Sequence, residues 1–252
     1  MPTRDTAWPA GTPCWADYGA ASMDEAQRFY GELFGWSYTE GDPEYAGYVS
    51  CLAKDLPAAG MGPLMDESMT PSWTTYFATD DAAATAERIT SAGGTVVVPP
   101  MQVGPMGTMV VALDPEGNAF GAWQSGEHTG ARIYNEPGAY VWNEAAVDDI
   151  EAAKTFYAAV FGLKFDALPE MGGYLTFSTG GDPLGGMSQH QPGLPKGWST
   201  CFAVADTDGT AAALEAAGGK VAVAPADSPY GRYAVLQDPW GAGFSVMQLP
   251  SS

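Results

Sequence analysis

Apolar side chains recur along one stretch of this chain at the spacing of a single helix face: Ala26, Phe29, Tyr30, Leu33 and Phe34 fall at intervals of 3, 4, 7 and 8 residues. Ser22 followed by Glu25 is a capping box ahead of that helix, and Gly35 can take the left-handed conformation that stops it. The stripe returns as Ala153, Phe156, Tyr157, Val160 and Phe161, with Asp149 at the cap and Gly162 at the stop. After the first helix come short runs of strand composition over 36–39, 48–53, 60–62 and 73–79. A second, alanine-rich helix is predicted over about 81–92, ending at Gly93-Gly94, and strands follow over 95–98, 108–113 and 119–124. Asp114-Pro115-Glu116-Gly117 has proline and glycine where a type I turn takes them, so it joins the last two strands as a hairpin.

The two stripes belong to a larger repeat. Phe29-Tyr30 through Phe34-Gly35 is answered 127 residues later by Phe156-Tyr157 through Phe161-Gly162. In the same order Trp15 matches Trp142, Trp73 matches Trp198, Phe77 matches Phe202, and Ala92-Gly93-Gly94 matches Ala217-Gly218-Gly219. Asp114-Pro115 matches Asp238-Pro239, Phe120 matches Phe244, and the offset drifts only from 127 to 124. The chain is a tandem duplication of one mixed α+β unit, each half running strand, helix, three strands, and then the same again. We place the first domain at 1–124, a Gly-rich polar linker at 125–138, and the second domain at 139–252.

Composition narrows the function classes. Ten basic residues against thirty acidic ones give a formal net charge of −20, which repels nucleic acid and anionic lipid. No apolar run reaches the roughly 18 residues needed to cross a bilayer, and the N-terminal residues show no export pattern, so a cytoplasmic, membrane-free protein is expected. Cys14, Cys51 and Cys201 have no spacing suited to a disulfide framework or a thiolate zinc site. His128 and His190 are the only histidines, which strains any mechanism that needs two imidazoles at one site.

Two strand-helix-three-strand modules per domain, with a Phe-Tyr helix, an Ala-Gly-Gly ending and an Asp-Pro-x-Gly hairpin, resemble the glyoxalase, bleomycin-resistance and extradiol-dioxygenase superfamily, the vicinal oxygen chelate fold. Asn135-Glu136-Pro137-Gly138, Trp142-Asn143-Glu144 and Gly231-Arg232-Tyr233-Ala234-Val235-Leu236 are similar to its actinobacterial two-domain branch, which includes a mycobacterial secreted-antigen-like protein and accessory proteins of polyketide antibiotic pathways often labelled hydroxylases. The resemblance implies two tandem domains of curled half-barrel sheets, each enclosing a cavity, and a monomer with an intrachain pseudo-dimer or a homodimer. It also implies ligand positions for a divalent metal, and these fall on Trp15 and Trp142, near Thr74 and Ser199, and on Gly121 and Ser245. None is His, Glu or Asp, and an indole nitrogen only donates, so no metal and no other cofactor is expected.

Alternation along a strand puts Asp17 on the face of Trp15 and Glu144 on the face of Trp142. A carboxyl in an apolar cavity would have its pKa raised and could act as general acid or base; alternatively both acids are ordinary capping or surface groups. Tyr48, Trp73, Tyr76, Tyr174 and Trp198 offer aromatic walls for stacking or plain core, His190 sits in a rim loop, and Arg232 can meet an anionic or carbonyl oxygen or pair with a nearby acid. The expected function is metal-independent binding of an apolar aromatic, polyketide-like small molecule by an accessory or sequestering protein. The alternative is a cofactor-independent tailoring enzyme, of hydroxylase or lyase type, using Asp17 or Glu144, and less readily a metal-dependent lyase or dioxygenase.

Overall fold

The computed structural model describes residues 1–66 and 68–250. Its first module is β1 (Pro13–Ala20), α1 (Met23–Phe34), β2 (Ser37–Tyr38), β3 (Val49–Ala53) and β4 (Leu56–Pro63). The second is β5 (Ser72–Ala78), α2 (Ala82–Ser91), β6 (Thr95–Val103), β7 (Gly107–Leu113) and β8 (Ala119–Ser125). The later half repeats them as β9 (Tyr140–Val147), α3 (Ile150–Phe161), β10 (Lys164–Leu168), β11 (Tyr174–Ser178) and β12 (Gly185–Gln189), then β13 (Gly197–Ala203), α4 (Thr207–Ala216), β14 (Lys220–Ser228), β15 (Gly231–Gln237) and β16 (Gly243–Gln248).

Each half forms one open, curled eight-stranded sheet, ordered β2-β3-β4-β1-β5-β8-β7-β6 and β10-β11-β12-β9-β13-β16-β15-β14. The modules of a half join along their first strands, β1 antiparallel to β5 and β9 antiparallel to β13. Elements start and stop where local chemistry directs: the Ser22 hydroxyl accepts from the Glu25 amide, the Asp149 carboxyl from the Ala152 amide, and Gly35 and Gly162 turn left-handed at φ 71°. One strand is longer than its composition suggests. β6 runs through Pro99 and Pro100 to Val103 because it lies at the sheet edge, and its pairing with β7 slips at that point, so the missing N–H groups cost no ladder bond.

The helices are shared between halves. Phe29 and Tyr30 of α1 pack in one core with Phe202, Leu214 and Phe244 of the later half, and Phe156, Tyr157 and Val160 of α3 pack in another with Phe77, Ile89 and Phe120 of the earlier half. Accordingly α1 lies against α4 and α2 against α3. At the centre the Thr75 and Thr200 hydroxyls of β5 and β13 meet at 3.2 Å. The helix-bearing faces of the two sheets are thus turned toward each other, which leaves each sheet a second, helix-free face on the inside of its curl.

The Phe-Tyr landmark does more than fill space. Tyr30 accepts from the Trp73 indole (3.0 Å) and donates to Asp238 of the other half (2.8 Å), while Tyr157 accepts from the Trp198 indole (2.7 Å) and donates to Asp114 (2.9 Å). Each chain runs tryptophan to tyrosine to the Asp-Pro turn of the opposite half, so the motifs that recur in the sequence are also the groups that bind its halves together.

Candidate functional site

On the helix-free face of the first sheet, β1 presents Trp15 and Asp17, and the neighbouring strands supply the residues opposite. Trp15 is in register with Tyr76, Asp17 with Thr74 and Gly60, and Tyr76 with Gly121. The Trp15 indole donates to the Tyr48 hydroxyl at 2.9 Å. Tyr48 lies across Gly60 so closely that a Cβ there would stand 1.7 Å from its hydroxyl oxygen, and Tyr76 lies over Gly121, where a Cβ would be 2.1 Å from its ring. These glycines exist so that the rings can lie flat on the strands. The Tyr76 hydroxyl faces the Asp17 carboxyl and favours its charged form.

This face is covered. After β8 the chain turns back over the sheet, stitched by the Ala131 amide to the Cys14 carbonyl and the Arg132 amide to the Pro57 carbonyl, both at 2.8 Å. The His128 ring stands edge-on to Trp15 at 4.4 Å and to Trp123 at 5.4 Å, and the Trp123 indole donates to the His128 carbonyl. Burial pushes the His128 imidazole down to about 4, and its Nε2 is buried with no partner among the described residues. The sequence offered this linker histidine no role; the structure makes it a plug.

The second sheet carries the matching cluster. The Trp142 indole donates to the Tyr174 hydroxyl (2.8 Å), which donates to the Glu144 carboxyl (3.1 Å), and Gly186 gives Tyr174 the same 1.7 Å clearance that Gly60 gives Tyr48. Opposite them the residues change. Glu144 is in register with Ser199, Trp142 with Cys201, and Cys201 with Ser245, so cysteine and serine stand where the first face has Tyr76 and Gly121. Met247 takes the place of Trp123. The hydroxyl oxygens of Ser199 and Ser245 are buried without a hydrogen-bond partner among the described residues. Trp15 is 5% exposed, whereas Trp142 is only half-buried, and no aromatic ring stacks on it among the described residues.

Both carboxyls are half-buried, and burial pushes both up: Asp17 to about 7, opposed by the Tyr76 hydroxyl, and Glu144 above the usual carboxylate range, opposed by the Tyr174 hydroxyl. The folded protein therefore holds the Asp17 proton more tightly than an unfolded chain, whose aspartate ionises near 3.9. That stability is complete below about pH 4 and is lost as pH rises through about 7, with a total of order 2 kcal/mol after allowing for partial solvation. Asp17→Asn is expected to flatten that loss and to raise the urea midpoint relative to wild type at pH 8. Parallel pH profiles for the two proteins would show that the carboxyl is well solvated.

The remaining sequence candidates lie elsewhere. Trp73 and Trp198 are on the opposite, helix-bearing side of their strands, bonded to Tyr30 and Tyr157. His190 bridges the Asp148 carboxyl and the Leu194 carbonyl beyond β12. Arg232 pairs with Asp208 and Asp227 at the surface. Trp15, Tyr48, Asp17 and Tyr76 come together on one face, and Trp142, Tyr174 and Glu144 on the other. Sequence reasoning missed the roles of Gly60, Gly186 and Cys201; the alignment of Gly60-Met61 with Gly186-Met187 was the available signal.

Each face offers one carboxyl, with indole, phenol, hydroxyl or thiol groups around it, and no cluster of three His, Cys, Asp or Glu side chains exists among the described residues. Burial also holds the Cys201 thiol far above its ordinary pKa, so it does not supply a thiolate. This donor set does not fit a divalent ion.

Residues 15–122 and 139–246 each match the family model described as the Glyoxalase/Bleomycin resistance protein/Dioxygenase superfamily. The chain is 40% identical over 257 residues to the "Putative glyoxylase CFP32" of Mycobacterium bovis, covering 98% of each protein. It is 37% identical over 263 residues to the "Anthracycline biosynthesis protein DnrV" of Streptomyces peucetius, covering 97% of this chain and 95% of that one. Among solved structures it resembles the Mn(II)-bound glyoxalase from Novosphingobium aromaticivorans, with a TM-score of 0.63 at 14% identity over 94% of this chain and 82% of that one. It also resembles the 2,3-dioxygenase LapB from Pseudomonas sp. KL28, with a TM-score of 0.64 at 15% identity over 98% and 96% of the two chains. At such identities these two likenesses establish the fold alone. No helix of the described residues is long and apolar enough to cross a membrane.

Proposed function

The chain belongs to the glyoxalase/bleomycin resistance protein/dioxygenase superfamily, and on that premise we propose that it binds a planar aromatic small molecule on a helix-free sheet face, without a metal, as an accessory or sequestering protein of a biosynthetic pathway. The observation that carries this reading is the Trp-Tyr-acid cluster that each face presents where metal-using relatives would need chelating donors. An indole edge held by a tyrosine gives a flat apolar surface, and the carboxyl and hydroxyls beside it give orientation. Similarity to a protein named for anthracycline biosynthesis supports a fused-ring ligand, since an anthracycline carries such a ring system. The net charge of −20 favours a neutral ligand over a polyanion.

Titration with anthraquinone derivatives is expected to quench tryptophan fluorescence saturably, with a Kd below about 100 μM, while glutathione leaves it unchanged. Absence of saturation across the series would show that the tryptophans are only core. A second reading, a cofactor-independent enzyme using Glu144 or Asp17 as acid or base, is favoured by the raised pKa of both carboxyls. Mass analysis of the bound compound after prolonged incubation separates the two, because a binding protein returns it chemically unchanged.

A further inference from the structure

The duplication supplies an internal control for what the site recognises. On the first face the space beside Trp15 is already occupied by a phenol, the Tyr76 ring, which lies flat over Gly121 with its hydroxyl facing the Asp17 carboxyl. The His128 ring, edge-on to Trp15 and Trp123, covers the indole beside it. On the second face the matching positions are Cys201 and Ser245, so the phenol is missing while its acceptor, Glu144, remains. The ring that Tyr76 provides in one half is therefore not provided by the chain in the other. Ser245 is 3% exposed, and its hydroxyl oxygen, like that of Ser199, has no partner among the described residues; a buried polar atom left so is costly unless something else satisfies it.

We infer that the two faces are not equivalent: the first is closed by the chain's own phenol, and the second is the working site, which takes a hydroxy-substituted aromatic whose hydroxyl donates to Glu144 while its ring lies beside Trp142. The bound ring sits farther from the strands than Tyr76 does, because the Cβ of Ser245 fills the space that Gly121 leaves open. The Ser199 and Ser245 hydroxyls then face the ligand and donate to further oxygen substituents, such as a ring carbonyl. An ether or unsubstituted ring fits the same space but offers no donor to Glu144 Oε1, the oxygen that Tyr174, bonded to Oε2, leaves open. This inference rests on the aromatic-binding reading and adds to it the location, the stoichiometry and the chemical class.

The test uses the full chain with 2-hydroxyanthraquinone and 2-methoxyanthraquinone, whose 2-position keeps the hydroxyl clear of an internal bond to the ring carbonyl. Calorimetry is expected to give one equivalent of the hydroxy compound per chain, bound at least tenfold more tightly than the methyl ether, as one hydrogen bond to a carboxylate implies. Cys201→Tyr with Ser245→Gly, which installs the first face's residues in the second, is expected to abolish binding. Glu144→Leu is expected to retain the ether while erasing the tenfold preference, and it serves as the test if the double variant does not fold. Two equivalents, or full binding by a folded double variant, would overturn the single-site assignment. Equal affinity for phenol and ether would overturn the phenol class and leave aromatic binding standing. No binding of either compound would overturn both this inference and the reading beneath it.

Discussion

Asp238→Ala is expected to cost about 4 kcal/mol of folding stability, far more than a single surface substitution. The Asp238 carboxyl is 3% exposed and accepts four hydrogen bonds: from the Tyr18 hydroxyl at 2.7 Å, the Tyr30 hydroxyl at 2.8 Å, and the Trp240 and Ala242 amides at 3.0 and 2.8 Å. Alanine supplies no acceptor, so two phenols and two amides are stranded away from water, each at roughly 1 kcal/mol or more. Tyr30→Phe leaves the Asp238 acceptor with three donors but also strands the buried Trp73 indole N–H, and is expected to cost about 2 kcal/mol. Urea denaturation of both variants is the measurement. A loss below 1 kcal/mol for Asp238→Ala would mean that the α1 seam is held by apolar packing alone.

Gly121→Ala is expected to be the second most disruptive change, at about 3 kcal/mol. A methyl group there would stand 2.1 to 2.7 Å from three atoms of the Tyr76 ring, and that ring, 6% exposed, has no open side to move toward. In a Tyr76→Cys background, which removes the ring and carries its own cavity cost, the same Gly121→Ala change should cost less than about 1 kcal/mol, since the pair then resembles Cys201 and Ser245. Gly181→Ala is the control: nothing lies within 4 Å of a Cβ at that position, and its effect should stay within about 0.5 kcal/mol. Thermal melts of these variants, with Tyr76→Cys alone as the reference, decide the matter, and the smaller effect of Gly121→Ala in that background is the part that a general loss of packing would not produce.

Much of this architecture was readable before the structure, because the repeat carries it. A helix stripe and its glycine stop are local signals, and a landmark that returns at a fixed offset reports a copied unit whatever its tertiary setting. The pairing of Trp15 with Asp17 and of Trp142 with Glu144 followed from strand alternation alone. What was not readable depended on contacts between distant segments. Trp73 and Trp15 are equally aromatic in sequence, yet opposite sides of two adjacent strands put one on the helices and the other on the open face. Phe29-Tyr30 looked like packing because a helix stripe says nothing of a hydroxyl that finds Asp238 more than 200 residues away. The covering role of His128 was hidden for the same reason: a polar, Gly-rich stretch reads as linker, and only its amide bonds to Cys14 and Pro57 reveal what it lies upon. The difference between faces was in fact written in the alignment as Tyr76 against Cys201. It gained meaning only once Gly121 and Ser245 were seen to flank those positions.

The sharing of helices between halves sets a timetable for synthesis. Tyr30 and its acceptor Asp238 are 208 residues apart, so at the usual ribosomal pace of about 5–20 residues per second the apolar face of α1 waits roughly 10 to 40 s for its partner strands to be translated. α3 has no such wait, because Phe77 and Phe120 are already made when Phe156 emerges. One seam can close on the nascent chain and the other only near its end. In the interval α1 exposes Phe29, Tyr30 and Phe34 to any protein that captures greasy helices, and slowed elongation between the two seams would lengthen the time in which aggregation competes with folding.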